Sequence, residues 1–224
     1  MSEWQARDLP PNTVMQGNYC RVEPIDIEKH AEDLYHAFAK DNDHSNWTYL
    51  PYGPFNGENG FDKFKTWIKT TCTNNDPLFH TIIDLNSEKA VGIASLMRIE
   101  PEIGVIEVGH IHFSPLMQRT PIATEAIFLM MKRVFDELGY RRFEWKCDSL
   151  NAPSCKAAKR FGFVPEGIFR QVTMYKNRSR DTAWFSIIDS EWPTLKKMFE
   201  AWLTPENFDE NQQQINKLQF FRKT

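Results

Sequence analysis

Residues Ser114–Ile127 read SPLMQRTPIATEAI and join a strand-like run to a helix-like one. Ahead of it lies VIEVGHIHFS (105–114), a strand-like run. Behind it a helix-like run continues to about Leu138, with Ala123, Ala126, Ile127, Met130, Val134 and Leu138 along one side. A strand that empties into a helix N-terminus presents backbone N–H groups and a partial positive charge, and phosphate binds there without a dedicated cation. A glycine ordinarily relieves the crowding where backbone meets phosphate, yet this stretch has none. Pro121 instead fixes φ and removes one donor, which a first helical turn tolerates. The N–H groups of Thr120, Ile122, Ala123 and Thr124 remain in this reading, with the Gln118 and Arg119 side chains just ahead of them. The plain alternative is a proline-started helix with Arg119 on the surface.

Working outward, NYCRVEPI (18–25) alternates like a strand, and residues 27–41 carry Ala31, Leu34, Tyr35 and Phe38 at helical spacing. WTYLPYGPFNGENG (47–60) is a loop rich in Pro and Gly. Helical periodicity returns through Phe61, Phe64, Trp67 and Ile68. Residues 78–85 and 90–100 are strand-like, the second with a bend expected near Gly92. GYRRFEWKCD (139–148) is a strand, and NAPSCKAAKRFGF (151–163) is a short helix with Gly162 as its C-terminal stop. Residues 164–188 read as two strands joined by the polar turn KNRSRD (176–181). A helix follows over 189–203, with Ser190 as its expected cap and Pro193 in its first turn. These elements predict one α/β (α+β) domain over 1–203, with 204–224 as a polar tail or partly docked helix. Long helices do not alternate regularly with the strands, so a mixed sheet is favoured over a doubly wound one.

The 224-residue chain is 41% hydrophobic and 25% charged, as expected of a soluble globular protein, and its net charge of −3 does not point to nucleic acid. It starts MSEWQARDLPP, without a basic stretch leading into an apolar run, and no apolar run is long enough to span a bilayer. The cysteines Cys20, Cys72, Cys147 and Cys155 are scattered and fit free thiols in a reducing cytoplasm. GHIHF puts His110 and His112 two apart. Packing or substrate contact is the expectation for them, and no metal site is expected.

The order of EVGHIHFSP, QRTPIA, the long helix and FEWKCDSLNAPSCKAAKRFGF resembles the GNAT acyl-CoA N-acyltransferase superfamily, in particular its ribosomal-protein N-acetyltransferase-like branch. That family's pyrophosphate loop reads Gln/Arg-x-x-Gly-x-Gly/Ala, onto which Gln118, Arg119, Thr120, Pro121, Ile122 and Ala123 fall in turn, with Pro121 at the first glycine. ATEA (123–126), Asn151 with Ser154, FGF (161–163) and NRSRDTAWFSI (177–187) extend the resemblance over about 19–195. It implies a mixed, mostly antiparallel sheet with splayed central strands, flanked by helices, and acetyl-CoA as cosubstrate. Strand 107–113, ending at Phe113, would present its backbone to the pantetheine arm. The loop 118–123 would hold the pyrophosphate, with Thr124 next to it as a further cofactor-binding candidate, and Asn151 would lie near the thiol end or the pantetheine.

Amide formation from an amine and a thioester needs a neutral amine and a proton or hydrogen bond for the departing thiolate. Glu107, on the expected central strand, is either a base working through water or an exposed or structurally paired carboxylate, and Glu144 is a weaker candidate. The resemblance assigns Ser154 as acid or thiolate partner, because the tyrosine that many members place four residues later is Ala158 here. Its alternative role is local capping. Trp47, Tyr49, Tyr52, His110, His112 and Arg180 are the acceptor-pocket candidates. The aromatics among them suit an amine by cation–π contact or an apolar group by burial, or simply pin the loop. The expected activity is acetyl transfer from acetyl-CoA to a primary amine (a small amine, an amino acid or a peptide N-terminus) by direct attack in a ternary complex. The protein would be a cytoplasmic monomer or homodimer, without nucleic-acid or membrane partners. A non-catalytic acyl-CoA sensor on the same fold is the alternative.

Overall fold

The computed structural model describes residues 4–210 and 213–222. The chain forms β1 (Met15–Gln16), β2 (Cys20–Pro24), α1 (Ile27–Phe38), α2 (Gly60–Trp67), β3 (Leu78–Asp84), β4 (Lys89–Glu100) and β5 (Val105–Phe113). Then come α3 (Pro121–Lys132), β6 (Arg142–Asp148), α4 (Ala152–Arg160), β7 (Val164–Tyr175), β8 (Arg178–Ile188) and α5 (Trp192–Trp202). The strands make one sheet in the order β1-β2-β3-β4-β5-β6-β8-β7. The ladders β1–β2, β2–β3, β3–β4, β6–β8 and β7–β8 are antiparallel. This is the mixed, mostly antiparallel sheet with flanking helices that the sequence leads one to expect. The chain divides into two compact units, one built from Pro11–Met97 and Val108–Leu129, the other from Arg98–Glu107 and Met130–Thr224 together with the N-terminal residues.

In the first unit, the apolar stripes of α1 (Ala31, Leu34, Phe38) and α2 (Phe64, Trp67) share a core with Phe79, Ile83 and Ile93. Each such large side chain contributes about 1.5–3 kcal/mol on burial. Asp26 starts α1 by accepting the N–H groups of Glu28 and Lys29 at 2.9 and 3.2 Å. The bend expected near Gly92 is a register shift between Ile82 and Ile83, beside the Ile82↔Gly92 pair. A Cβ at Gly92 would meet the Met117 sulfur, so a larger residue there would have to displace that side chain. Glu125, buried on α3, accepts the N–H groups of Asn18, Tyr19 and Cys20 at 2.8, 2.7 and 2.7 Å. It thereby ties the β1–β2 turn to the helix.

In the second unit, Phe143, Trp145, Phe161, Phe163, Trp192 and Phe199 form the buried aromatic core. Gly162 follows the last residue of the α4 cap with φ of +96°, and Leu195 fills the space where a Cβ would stand. Two local expectations are corrected. The β7–β8 turn is only Lys176 and Asn177, with φ of 48° and 60°. This is the type I′ signature, whose twist matches the flanking strands, so residues 178–181 belong to β8. Glu191, not Ser190, occupies the N-cap of α5, and Pro193 lies in its first turn. The N-terminal residues strap the unit, with Trp4 Nε1 donating to the Glu102 carbonyl at 2.7 Å and Arg7 Nε to the Gly139 carbonyl at 3.0 Å. After Leu203 the described residues make short turns at Pro205–Asn207 and Leu218–Phe221 rather than a longer helix. Trp202 Nε1 donates to the Gln214 side chain and the Asn216 carbonyl, both at 3.1 Å, and Leu218 is fully buried.

Candidate active site

The loop between β5 and α3 is a compact series of turns. Met117 N and Gln118 N donate to the Ser114 carbonyl at 3.1 and 3.2 Å, and Thr120 N and Oγ1 donate to the Met117 carbonyl at 3.3 and 2.7 Å. Gln118 turns its side-chain amide onto the Phe113 carbonyl at 2.8 Å and Asn46 Oδ1 at 3.2 Å. Arg119 has a φ of +63° and is exposed. Pro121 is the first residue of α3, where its missing N–H and fixed φ do no harm. The donor set is therefore smaller than the sequence suggested. Thr120 N is engaged within the turn, and by helix geometry the Thr124 N–H faces the Thr120 carbonyl, which leaves Ile122 and Ala123 as the outward N–H groups. Two backbone donors at a positive helix end, with the Arg119 guanidinium beside them in sequence, fit a pyrophosphate. Gln118 shapes the loop instead of offering a free side-chain donor.

In the same unit, residues of the 47–60 loop close on α1, α2 and β5. Trp47 is buried, stands edge-on to Phe38 at 5.6 Å and to His112 at 4.0 Å, and abuts Gly53, whose φ is +64°. It pins the loop. His112 is buried and stacked on Phe38 at 3.9 Å with a 7° interplanar angle, and neither ring nitrogen has a hydrogen-bond partner. Burial pushes its pKa down to about 3, so it is a neutral imidazole at physiological pH. His110, at a φ of +49°, is half-buried, with its Nδ1 3.1 Å from the Tyr52 hydroxyl and its ring against Phe79. Burial holds the Tyr52 phenol well above its ordinary value. Of the acceptor candidates, Tyr52 and His110 are thus joined and half-buried, whereas Trp47 and His112 are core. Tyr49 is half-buried as well.

In the second unit, Glu107 is 3% exposed and its Oε2 lies 2.6 Å from Arg98 Nη1 and 2.9 Å from Lys146 Nζ. Lys146 also meets Glu144 at 2.7 Å and lies 3.9 Å over the Trp184 ring. Arg142 joins Glu144 at 2.8 Å and forks onto Glu166, which accepts the Ser186 hydroxyl at 2.7 Å. Three carboxylates and three cations therefore alternate along the chain of contacts. Burial pushes the Glu144 carboxyl up, but hydrogen bonds from Lys146 and Arg142 outweigh it and hold the group below its ordinary value. The Arg142 hydrogen bond likewise holds Glu166 low. Glu107 is thus buried and ion-paired rather than exposed. Its partners Arg98 and Lys146 were missed by sequence reasoning. The signal for Lys146 was the two-residue spacing from Glu144, which puts both on one face of a strand.

Asn151 Oδ1 accepts Ser154 N at 3.1 Å and caps α4. Ser154 is therefore not the capping residue that one reading offered. Its Oγ accepts the indole N–H of Trp145 at 3.0 Å, which fixes the oxygen and leaves the hydroxyl its own proton to donate. Ala158 is fully buried. Arg180 turns to Thr182 Oγ1 at 3.0 Å. Among the described residues, no three His, Cys, Asp or Glu side chains gather as metal ligands.

A family model described as an acetyltransferase (GNAT) domain matches residues 21–164. A GCN5-related N-acetyltransferase from Brucella melitensis is 46% identical, covers 99% of both chains and superposes with a TM-score of 0.93. A probable GNAT-family acetyltransferase from Chromobacterium violaceum is 41% identical over 86% of this chain and 94% of its own, with a TM-score of 0.78. The uncharacterized N-acetyltransferase YnaD of Bacillus subtilis is 24% identical over 72% of this chain and 91% of its own length.

Proposed function

The chain belongs to the GNAT acetyltransferase family, and from that premise we propose that it transfers an acetyl group from acetyl-CoA to a primary amine by direct attack in a ternary complex. Acetyl-CoA, when bound, supplies the acetyl thioester. The N–H groups of Ile122 and Ala123 and the side chain of Arg119 bind its pyrophosphate, on a loop that Gln118, Thr120 and Thr124 hold in shape. The backbone of β5 up to Phe113 takes the pantetheine arm. Asn151 fixes the first turn of α4, and Ser154 donates its hydroxyl proton toward the departing sulfur. The geometry that carries this role is the Trp145 N–H held 3.0 Å from Ser154 Oγ.

Glu107 is a positioning residue in this reading. Its carboxylate holds Lys146 and Arg98, and taking up a proton would weaken both contacts. The acceptor lies against Tyr52 and His110, whose mutual hydrogen bond orients the imidazole. The class of acceptor is a small amine, an amino acid or a peptide N-terminus. The motifs resemble the ribosomal-protein N-acetyltransferase-like branch, whose substrate is not carried over.

Calorimetric titration with acetyl-CoA, followed by thiol release across a panel of amines, tests the proposal. Saturable binding with amine-dependent release is the expected result. Absence of binding refutes it, and binding without turnover on any amine makes the protein an acyl-CoA sensor.

A further inference from the structure

On β6 and on the second turn of α4, the Cys147 and Cys155 sulfurs stand 3.5 Å apart as free thiols. Neither has a place in the acetyl-transfer reading. Cys147 is buried and Cys155 half-buried, so an oxidant in solution reaches Cys155 first. A disulfide closes at about 2.05 Å, so the sulfurs must approach by about 1.5 Å. A side-chain rotation and a small shift of the helix turn can supply that movement.

We propose that Cys147 and Cys155 are an oxidisable pair, converted to an intramolecular disulfide by hydrogen peroxide. The Cys155 thiolate attacks one peroxide oxygen and becomes a sulfenic acid, and the hydroxide released takes up a proton as water. Cys147 then gives up its proton and attacks the sulfenic sulfur. The S–S bond forms, and the sulfenic oxygen leaves as a second water. Two thiols have lost two electrons and two protons, and one peroxide has become two waters. Burial pushes the Cys147 thiol up to about 12, with the Cys155 sulfur adding to the effect while the Ser154 hydroxyl and Arg180 oppose it. The second step is therefore slow at neutral pH and quickens as pH rises.

The bond acts on the neighbouring residues. Cys155 follows Ser154 directly in α4, whose first turn is capped by Asn151 and tied to Trp145. Drawing Cys155 onto Cys147 shifts the α4 turn that carries Ser154 and so alters its 3.0 Å contact with the Trp145 indole. Disulfide formation does not depend on the acetyl-transfer reading, whereas its effect on turnover rests on that reading, and the two are measured separately.

Trypsin cuts after Lys146 and Lys156, so both cysteines fall in one peptide, CDSLNAPSCK. The full chain is treated with peroxide, alkylated under denaturing conditions, digested and weighed. The expected peptide is lighter by two hydrogens, takes no alkylating agent and regains both thiols with dithiothreitol. Cys155→Ser leaves Cys147 fully alkylated. Cys20→Ser changes nothing in this peptide. Turnover of the oxidised protein falls roughly tenfold to a hundredfold, the scale on which a misplacement of about 1 Å acts, and returns on reduction. A peptide that keeps both alkylatable thiols overturns the proposal, as does one carrying added oxygen on Cys155 with Cys147 unreacted. A disulfide that leaves a working enzyme's turnover unchanged overturns the coupling to Ser154.

Discussion

Glu107 and Lys146 make the sharpest test of what the buried charges do. Their oxygen and nitrogen are 2.9 Å apart, with side-chain exposures of 4% and 9%. At an effective dielectric constant of about 20, two unit charges at that distance attract by about 6 kcal/mol, most of which is offset by desolvation. Removing one partner leaves the other buried with its second partner alone, Glu144 for Lys146 and the exposed Arg98 for Glu107, a loss at the low end of roughly 3–5 kcal/mol. The Arg98 side chain is 55% exposed, so its bond to Glu107 adds about 0–1 kcal/mol. Glu107→Gln and Lys146→Met should each destabilise the fold by about 3 kcal/mol. The double variant should recover about 2 kcal/mol of the sum, since contacting residues couple on that scale. Urea unfolding of the four proteins, with slopes compared, measures this. Single losses below about 1 kcal/mol that simply add would refute the reasoning. The same variants decide the role in turnover. A positioning carboxylate leaves the acid limb of the pH–rate profile in place when Glu107→Gln lowers the rate. Loss of that limb in a stably folded Glu107→Gln protein would instead make Glu107 the base.

Three further outcomes are expected. The His112 pKa near 3 in the fold lies below its ordinary 6.5, so neutral burial contributes stability that is fully present above pH 6.5. That stability is lost by about 1.4 kcal/mol per pH unit as pH falls toward 3. His112→Phe should therefore unfold at higher urea than the parent at pH 5 by roughly 2 kcal/mol relative to its difference at pH 8, and a pH-independent difference would contradict the burial argument. Glu125→Ala strips the acceptor from the N–H groups of Asn18, Tyr19 and Cys20 and should cost roughly 2–5 kcal/mol in the same assay, whereas a loss under about 1 kcal/mol would mean that the turn finds other partners. Pro121→Gly returns one N–H to the α3 terminus and should tighten acetyl-CoA binding by roughly threefold to tenfold in a calorimetric titration, and weaker binding would show that the proline pre-forms the loop.

Local chemistry was legible in the sequence. Apolar spacing located α1, α2 and α3, and the run from β5 into a proline-started helix located the turn proposed to hold the pyrophosphate. Asn151 ahead of a short helix and Gly162 behind it bounded α4. In each case the cause lies within a few residues, in the 3.6-residue period, in φ restriction or in an N–H that needs an acceptor. The shorter β7–β8 turn escaped, because Lys176 and Asn177 adopt left-handed φ without a glycine to announce it.

The surroundings of the charged and aromatic side chains were decided by the tertiary structure. Glu107 read as a base, an exposed carboxylate or an ion-pair partner, and its surroundings came from the strand order, which puts β4 and β6 on either side of β5 and brings Arg98 and Lys146 to its carboxylate. His110 and His112 read alike two residues apart, yet one ring meets Tyr52 and the other is sealed between Phe38 and Trp47. A side chain's charge state and reach depend on which groups surround it. Those groups come from distant segments whose register is fixed by the packing of the whole sheet, so no local pattern of residues records them.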